Sequence, residues 1–328
     1  MNEGKKVFVT GGTGLLGVQL VNLLLEKGYQ VNLLYRNEGS IDNFRKISRY
    51  YEEAHEISAE KINWIKGDIL DYDSLSLATQ AIDTIIHAAA YVSFKRKDKK
   101  RVSLINVKGT ENIVNAALQN NVKQVIHVSS IATIGSKKHS DELTEELWPE
   151  VYNSIYAKTK TLAEREIWRG FEEGLNGVIV NPSVIIGPGN WKEGSSKIFG
   201  SIAKGLPFYT NGVTGYIDVR DVAESIIFLM ESDVRKERFI LSSENLSYKD
   251  LFSKVALALG KKPPKYAVSP GLVNFIRFAT ANTIVTKEMV NSAFSISKYS
   301  AEKFIKLSGK SFRSIDEAVA FTGGCFLK

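Results

Sequence analysis

The sequence predicts an α/β protein built on a doubly wound parallel sheet, with a smaller, mostly helical lobe towards its C-terminus. Three observations carry this expectation. Short apolar runs alternate with helix-like stretches through the first half of the chain. The runs are apolar at consecutive positions, as strands buried on both faces require. A glycine-rich turn sits between the first run and the first helix, where a parallel sheet places its ligand crevice.

Taken in order, Val7, Phe8 and Val9 form the first run, and Leu15 through Leu25 reads as a helix ended by Gly28, glycine being the usual residue past a helix end. The short-run pattern recurs at Val31–Tyr35, Ile62–Ile65, Thr84–His87, Val125–Val128 and Val178–Val180, each bounded by turn or helix signals. Leu104–Gln119 and Tyr156–Phe171 are the long helical stretches between them. After Pro182 the pattern loosens around Gly187-Pro188-Gly189, Gly205-Leu206-Pro207 and Lys262-Pro263-Pro264. A helix over Val219–Met230 and a run Phe239–Leu241 are expected to return to the first sheet. The predicted organisation is a Rossmann dinucleotide-binding domain over 1–180, joined by about 215–241 and interleaved with a substrate-binding lobe over 181–328.

Composition narrows the class. At 328 residues the chain is long enough for a substantial core. A lone cysteine, Cys325, and four histidines leave no disulfide framework and no cluster of metal-ligand spacing, so no metal is expected. No apolar run approaches the roughly 18 residues of a membrane span. The opening Glu3-Gly4-Lys5-Lys6 lacks the apolar core of a secretory signal, so a cytoplasmic location is expected. The 43 Lys and Arg against 36 Asp and Glu give a net charge of +7. No recognised nucleic-acid motif accompanies that charge, so no nucleic-acid partner is expected.

The turn reads Thr10-Gly11-Gly12-Thr13-Gly14-Leu15-Leu16-Gly17. It parses as G-x-G-x-x-G from Gly12 or as G-x-x-G-x-x-G from Gly11. Either way, glycines permit a tight turn, close approach of a pyrophosphate and close packing of helix on strand. The helix N-terminus then offers unpaired N–H groups to the anion. Gly11, Thr13, Gly14, Leu15, Leu16 and Gly17 are the expected contacts. Arg36, just past the second strand, suits a ribose 2′-phosphate with its charged fork. NADP is therefore the expected cofactor, with NAD the alternative.

Tyr156 and Lys160 lie four residues apart, on one face of a predicted helix. A positive charge nearby lowers a phenol's pKa and fits it for proton exchange. The arrangement resembles the short-chain dehydrogenase/reductase superfamily in its extended, epimerase/dehydratase-like branch. The resemblance covers nearly the whole chain and rests on ordered motifs: the Thr10–Gly17 turn, Gly67-Asp68-Ile69, His87-Ala88-Ala89-Ala90, Asn106-Val107-Lys108-Gly109-Thr110, Ser129-Ser130, Tyr156/Lys160 and Asn181-Pro182-Ser183.

That resemblance implies roles. Asp68 and Ile69 border the adenine, Ala88, Ala89 and Ala90 line the cofactor's middle, and Pro182, Ser183 and Val184 meet the nicotinamide end. Tyr156 exchanges a proton with the substrate oxygen, and Lys160 holds the nicotinamide ribose and tunes Tyr156. Ser130 polarises the carbonyl, with Ser129 and Thr133 as alternatives. Asn106 supports a proton relay through water to Lys160. Relatives that dimerise through the Tyr/Lys helix imply a homodimer.

Dehydratases of this branch carry an Asp-Glu pair where this chain has Ile131-Ala132. The motifs look most like the dihydroflavonol-reductase-like and 3β-hydroxysteroid-dehydrogenase-like group. The implied activity is hydride transfer between NADPH and a small carbonyl or alcohol substrate. The alternatives are an NAD-dependent sugar-nucleotide epimerase and a non-catalytic NADP-binding regulator.

Three further features belong to the substrate side. Tyr91–Phe94 could cover the nicotinamide, and its extension 95–101 has six basic residues in seven, a solvated loop or an acceptor for an acidic substrate. Arg220 or Asp221 could brace the two lobes. Leu272, Phe275, Ile276 and Ala279 follow helical spacing, which suits core packing or an apolar contact.

Overall fold

The computed structural model describes residues 4–51, 59–93, 96–135, 142–149, 152, 154–279 and 287–328, with the backbone alone at 59, 96, 275–277, 279 and 287–289. Seven parallel strands form the main sheet: β1 (Lys6–Thr10), β2 (Gln30–Tyr35), β3 (Asn63–Lys66), β4 (Thr84–His87), β5 (Gln124–Val128), β6 (Gly177–Pro182) and β10 (Glu237–Leu241). Their spatial order is β10-β6-β5-β4-β1-β2-β3. The order reverses between β1 and β4, which opens a crevice at the strands' C-terminal ends.

The uninterrupted apolar runs are explained by what covers the two faces. Val7 and Val9 point to one face, with Leu33, Ile86, Ile126, Val178 and Phe239. There they meet helices α1 (Leu15–Glu26) and α8 (Val219–Glu231). Phe8, Leu34, Ile85, Val125 and Ile179 point to the other face, against α3 (Tyr72–Ala78), α5 (Gly109–Gln119) and α6 (Ile155–Glu172). Each such fully buried side chain contributes about 1.5–3 kcal/mol of transfer free energy. Gly28 takes φ +81° just beyond α1, and the Tyr29 N–H donates to the Leu24 carbonyl, which closes the helix end.

The stretch expected as one helix over Leu104–Gln119 starts earlier and is not uniform. A short helix α4 (Lys99–Ser103) leads into a π-helical stretch, Leu104–Lys108, and then into α5. The helix formers Lys99, Lys100 and Arg101 begin it, and Val102 fixes it in the core. The π-helical turn carries Asn106.

The second lobe departs further from a mostly helical layer. Short strands β7 (Val184–Ile186), β9 (Val213–Asp218) and β11 (Glu244–Ser247) form a small sheet in the order β11-β9-β7. A second pair joins β8 (Phe208–Tyr209) to β12 (Tyr266–Ala267). Residues 213–218 thus belong to the lobe, and the chain rejoins the main sheet through α8 and β10. The strands are two to six residues long, too short to show a clear period in sequence. Helices α7 (Lys197–Ala203), α9 (Tyr248–Ala258) and α13 (Ile315–Leu327) pack on the small sheet around Tyr216, Phe199 and Leu251. Helices α2 (Glu38–Ser48), α10 (Pro270–Ala279), α11 (Lys287–Phe294) and α12 (Glu302–Ser308) complete the α-helices among the described residues.

Arg220 and Asp221 do brace the layers. Arg220 lies over the Phe321 ring at 4.2 Å and pairs with buried Asp218, while Asp221 holds Arg313 at 2.5 Å. Burial raises the Asp221 pKa, and its bonds to Arg313 counter that. β10 is an outer strand, and side chains close it. The Ile240 N–H donates to the Glu145 carboxylate at 2.8 Å, and Lys303 Nζ donates to the Arg238 carbonyl at 3.0 Å. Among the described residues no helix is long and apolar enough to cross a membrane.

Candidate active site

The glycine turn divides its tasks by position. Gly11 stands at φ +73°, where a Cβ would lie 2.6 Å from the Ala88 carbonyl carbon and the Ala89 nitrogen. A Cβ on Gly12 would strike Leu33 Cδ1 at 2.2 Å, and one on Gly17 would strike the Gly11 carbonyl oxygen at 2.2 Å. These three glycines let α1 seat on β1. Gly14 differs: a Cβ there would meet only the Gly11 oxygen, at 3.5 Å. Its bareness serves no packing inside the protein. It borders a cavity of about 390 Å³, so the space it keeps open is available to a ligand.

That cavity is lined by Gly11, Thr13, Gly14, Arg36, Asp68, Ile69, Ala88, Ala89 and Ala90, together with Tyr35, Ser40, Asn43 and Tyr91. Arg36 is exposed and is the only cation among the described residues that line it. Asn43, which the sequence reading missed, donates to the Thr13 carbonyl at 2.7 Å and steadies the turn. Leu16 gives its side chain to the core and Leu15 packs against Gly189. What these two and Gly17 can offer a ligand is the free backbone N–H groups of a helix start. Bare glycine, free amides and a lone arginine fit a phosphate-bearing dinucleotide.

Two buried histidines tie the strand ends to the helices. Thr110 donates its hydroxyl to the Asn106 carbonyl at 2.7 Å. His87 therefore donates to Thr110 from Nε2 (3.0 Å) and accepts the Thr10 hydroxyl at Nδ1 (2.7 Å). Desolvation holds the His87 pKa down at about 3, so it is a neutral strut. His127 lies beside it, its ring centroid 5.2 Å away and its plane tilted by 36°, and burial holds its pKa well below the ordinary value as well.

A second cavity of about 610 Å³ adjoins the C-terminal end of β5. Ser130, Tyr156 and Val184 line it, with Phe208, Tyr209, Tyr248, Phe252 and Tyr299 from the second lobe. Ser154 caps α6 by accepting the Ala157 N–H and so aims the first turn, with Tyr156, at this cavity. The Tyr156 phenol is hydrogen-bonded to the Ser130 hydroxyl. The Ser130 oxygen also accepts the Ala132 N–H at 3.1 Å, which leaves its own proton for the phenol or a ligand.

Lys160 is buried one turn further along. Its Nζ donates to the Val128 carbonyl at 2.8 Å and lies 3.4 Å from His127 Nε2. Burial pulls its pKa down to about 8, and the Glu164 carboxylate acts in the opposite direction. The expected lowering of the Tyr156 pKa by Lys160 is not what this geometry produces. Burial raises the phenol's pKa, and the opposing influence is the Ser130 hydrogen bond.

The three candidate hydroxyls separate clearly. Ser130 faces the larger cavity. Thr133 is fully buried and donates to Glu164 at 2.6 Å, so it is spent on structure. Ser129 is buried with no partner for its hydroxyl among the described residues. Ser183, buried beside Pro182, has an unpartnered hydroxyl too. Asn106 clamps the loop after β4: it accepts the Tyr91 N–H at 2.8 Å and donates to the Tyr91 carbonyl (3.2 Å) and Thr159 (3.1 Å). Its side-chain bonds are thus made within the protein, where the sequence suggested a relay.

Sequence reasoning missed the group behind these residues. Glu164 is fully buried, accepts from Thr133 and Asn181 (each 2.6 Å), and pairs with buried Arg238 at 3.1 Å. Arg238 also donates to the Glu145 carbonyl (2.6 Å) and Leu147 carbonyl (3.1 Å), and stacks on Trp148 at 4.1 Å. The available signal was an acid four residues after Lys160, on the same helix face.

Among the described residues the basic run does not line the smaller cavity and meets it only through Tyr91. Arg101 lies 4.5 Å over the ring of Tyr91; Phe94, Lys95 and the Arg96 side chain lie outside the described residues. Leu272 is exposed, and the side chains of Phe275, Ile276 and Ala279 lie outside the described residues. Among the described residues no group of His, Cys, Asp and Glu is placed to hold a metal.

Fold and site together define a dinucleotide-fold protein of the short-chain dehydrogenase/reductase class. The chain belongs to the NAD dependent epimerase/dehydratase family, whose model matches residues 7–241. It is 33% identical over 269 residues to a putative dihydroflavonol 4-reductase of Synechocystis, covering 80% of this chain and 74% of that protein. Among solved structures it is similar to gox2253 (TM-score 0.81, 26% identity, 99% and 98% of the two chains). The yeast methylglyoxal/isovaleraldehyde reductase Gre2, crystallised with NADPH, shares the fold (TM-score 0.77, 22% identity, 98% of each chain).

Proposed function

We propose that this protein is an NADP(H)-dependent carbonyl reductase, or alcohol dehydrogenase in reverse, using Tyr156, Ser130 and Lys160. The observation that carries the reading is the hydrogen-bonded Tyr156–Ser130 pair on the wall of the larger cavity. The reductases among the chain's relatives support it. The nicotinamide, when bound, supplies or takes the hydride. Ser130 donates to the carbonyl oxygen and stabilises its developing charge. Tyr156 delivers the proton, and its raised pKa keeps the phenol protonated at neutral pH. Lys160 contributes a buried positive charge one helical turn beyond Tyr156, and Asn106 fixes the backbone at Tyr91, which lines the cavity where the cofactor would sit.

The test is NADPH oxidation across aldehydes, ketosteroids, diketones and nucleotide-sugar ketones. Tight NADPH binding with no oxidation by any of them would overturn the reading in favour of a non-catalytic NADP-binding role. Two predictions accompany it. Arg36→Asp should reverse a preference for NADPH over NADH, because a charge-assisted fork to the 2′-phosphate becomes a like-charge contact; equal affinity ratios in both proteins would remove Arg36 from this role. For reduction, kcat/KM should fall as pH rises through about 8. Lys160 is charged below that value and neutral above it, and kcat/KM reports the free enzyme. A profile flat to pH 10 would show that the Lys160 charge is not needed.

A further inference from the structure

Among the described residues, the larger cavity has no Asp, Glu, Lys, Arg or His in its lining. Its polar groups are hydroxyls alone, and its walls are Ile131, Val184, Phe208, Phe252, Val268 and Val273 with four tyrosines. Burial raises the pKa of Tyr156 and Tyr248 and pushes Tyr299 up to about 12, so these phenols stay uncharged through neutral pH. The concentrated basic run lies elsewhere, where Arg101 covers Tyr91 beside the smaller cavity.

We infer that the substrate group entering the larger cavity is an uncharged, largely apolar carbonyl compound, and that anionic carbonyls are rejected there. The inference rests on the reductase reading and narrows it. An anion entering this site exchanges water for hydroxyls and hydrocarbon with no counter-charge among the described lining residues, a transfer disfavoured unless a partner is supplied. The nearby Lys249 ammonium lies over the Tyr209 ring at 5.5 Å. Hydroxyl donors can still orient a neutral oxygen, since they need no charge to satisfy it. Aromatic walls suit a flat or ring-bearing compound.

The test compares three aldehydes that share one reacting group: methyl 4-formylbenzoate, 4-methylbenzaldehyde and 4-formylbenzoate. NADPH oxidation is followed for each, and binding to the NADP+-loaded protein is measured by calorimetry. Both neutral aldehydes should exceed the carboxylate in kcat/KM by on the order of 100-fold. 4-Methylbenzaldehyde, whose carbonyl is the less activated, shows that charge and not reactivity decides. Val273→Lys, which places a cation on the wall, should narrow the gap by about tenfold. A carboxylate turned over as well as the neutral pair overturns the inference. If no aldehyde is turned over, the reductase reading fails separately, and binding decides: neutral compounds bound and the carboxylate excluded uphold the inference, whereas equal binding, or none, overturns it.

Discussion

Tyr156→Phe should lower kcat for carbonyl reduction by about 10²–10⁴-fold, the range for loss of a positioned general acid, while NADPH affinity changes little. The ring stays and only the hydroxyl goes, so the cavity keeps its shape. Ser130 loses the phenol it bonds but retains the Ala132 N–H, which holds its oxygen in place. The smaller cavity, proposed above for the cofactor, is lined by other residues, with Gly11, Gly14 and Ala88 to Ala90 among them, so binding has no reason to follow activity. Steady-state turnover and fluorescence titration with NADPH separate the two effects. Full activity in the variant would end the proposed mechanism. The raised pKa of the phenol also sets a direction. A protonated Tyr156 is ready to give a proton in reduction, whereas alcohol oxidation needs the phenolate and should speed up as pH rises.

Glu164→Gln should cost about 3–5 kcal/mol of stability, the penalty for leaving one member of a buried pair without its partner. The amide oxygen can still accept from Thr133 and Asn181, but the amide NH2 then faces the Arg238 guanidinium, donor against donor. For a chain of this size the loss corresponds to a fall in Tm of roughly 5 °C. A second readout does not depend on stability. Because the Glu164 charge raises the Lys160 pKa, its removal should move the alkaline limb of kcat/KM to lower pH. An unchanged Tm and an unmoved limb together would show that the carboxylate matters to neither.

How much of this was legible in the sequence depended on the range of the interaction. The strand runs, the glycine turn and the Tyr156/Lys160 spacing are local patterns, and each sits in the structure where its pattern put it. Gly14 and Gly17 looked alike in the motif, yet one opens a cavity and the other lets a helix close onto a turn. That distinction needs the partner backbone. Glu164 and Arg238 are 74 residues apart, and a buried ion pair at that separation has no sequence signature. Asn106 was noted by motif, but its clamp on Tyr91 depends on a π-helical turn that no periodicity announces. The small sheet of the second lobe was missed for a similar reason, since strands as short as β7 are defined by their neighbours. Thr133, one of three candidate hydroxyls, was decided only by the carboxylate it meets.

The closed outer strand of the main sheet has a consequence for association. An uncovered strand of Phe239, Ile240 and Leu241 would be a template for another chain to extend by main-chain pairing. Here Glu145 occupies the Ile240 N–H and Lys303 the Arg238 carbonyl. Growth by strand addition at that side would first have to displace both side chains. Copies of this protein that associate there must meet through side chains instead of a continued ladder.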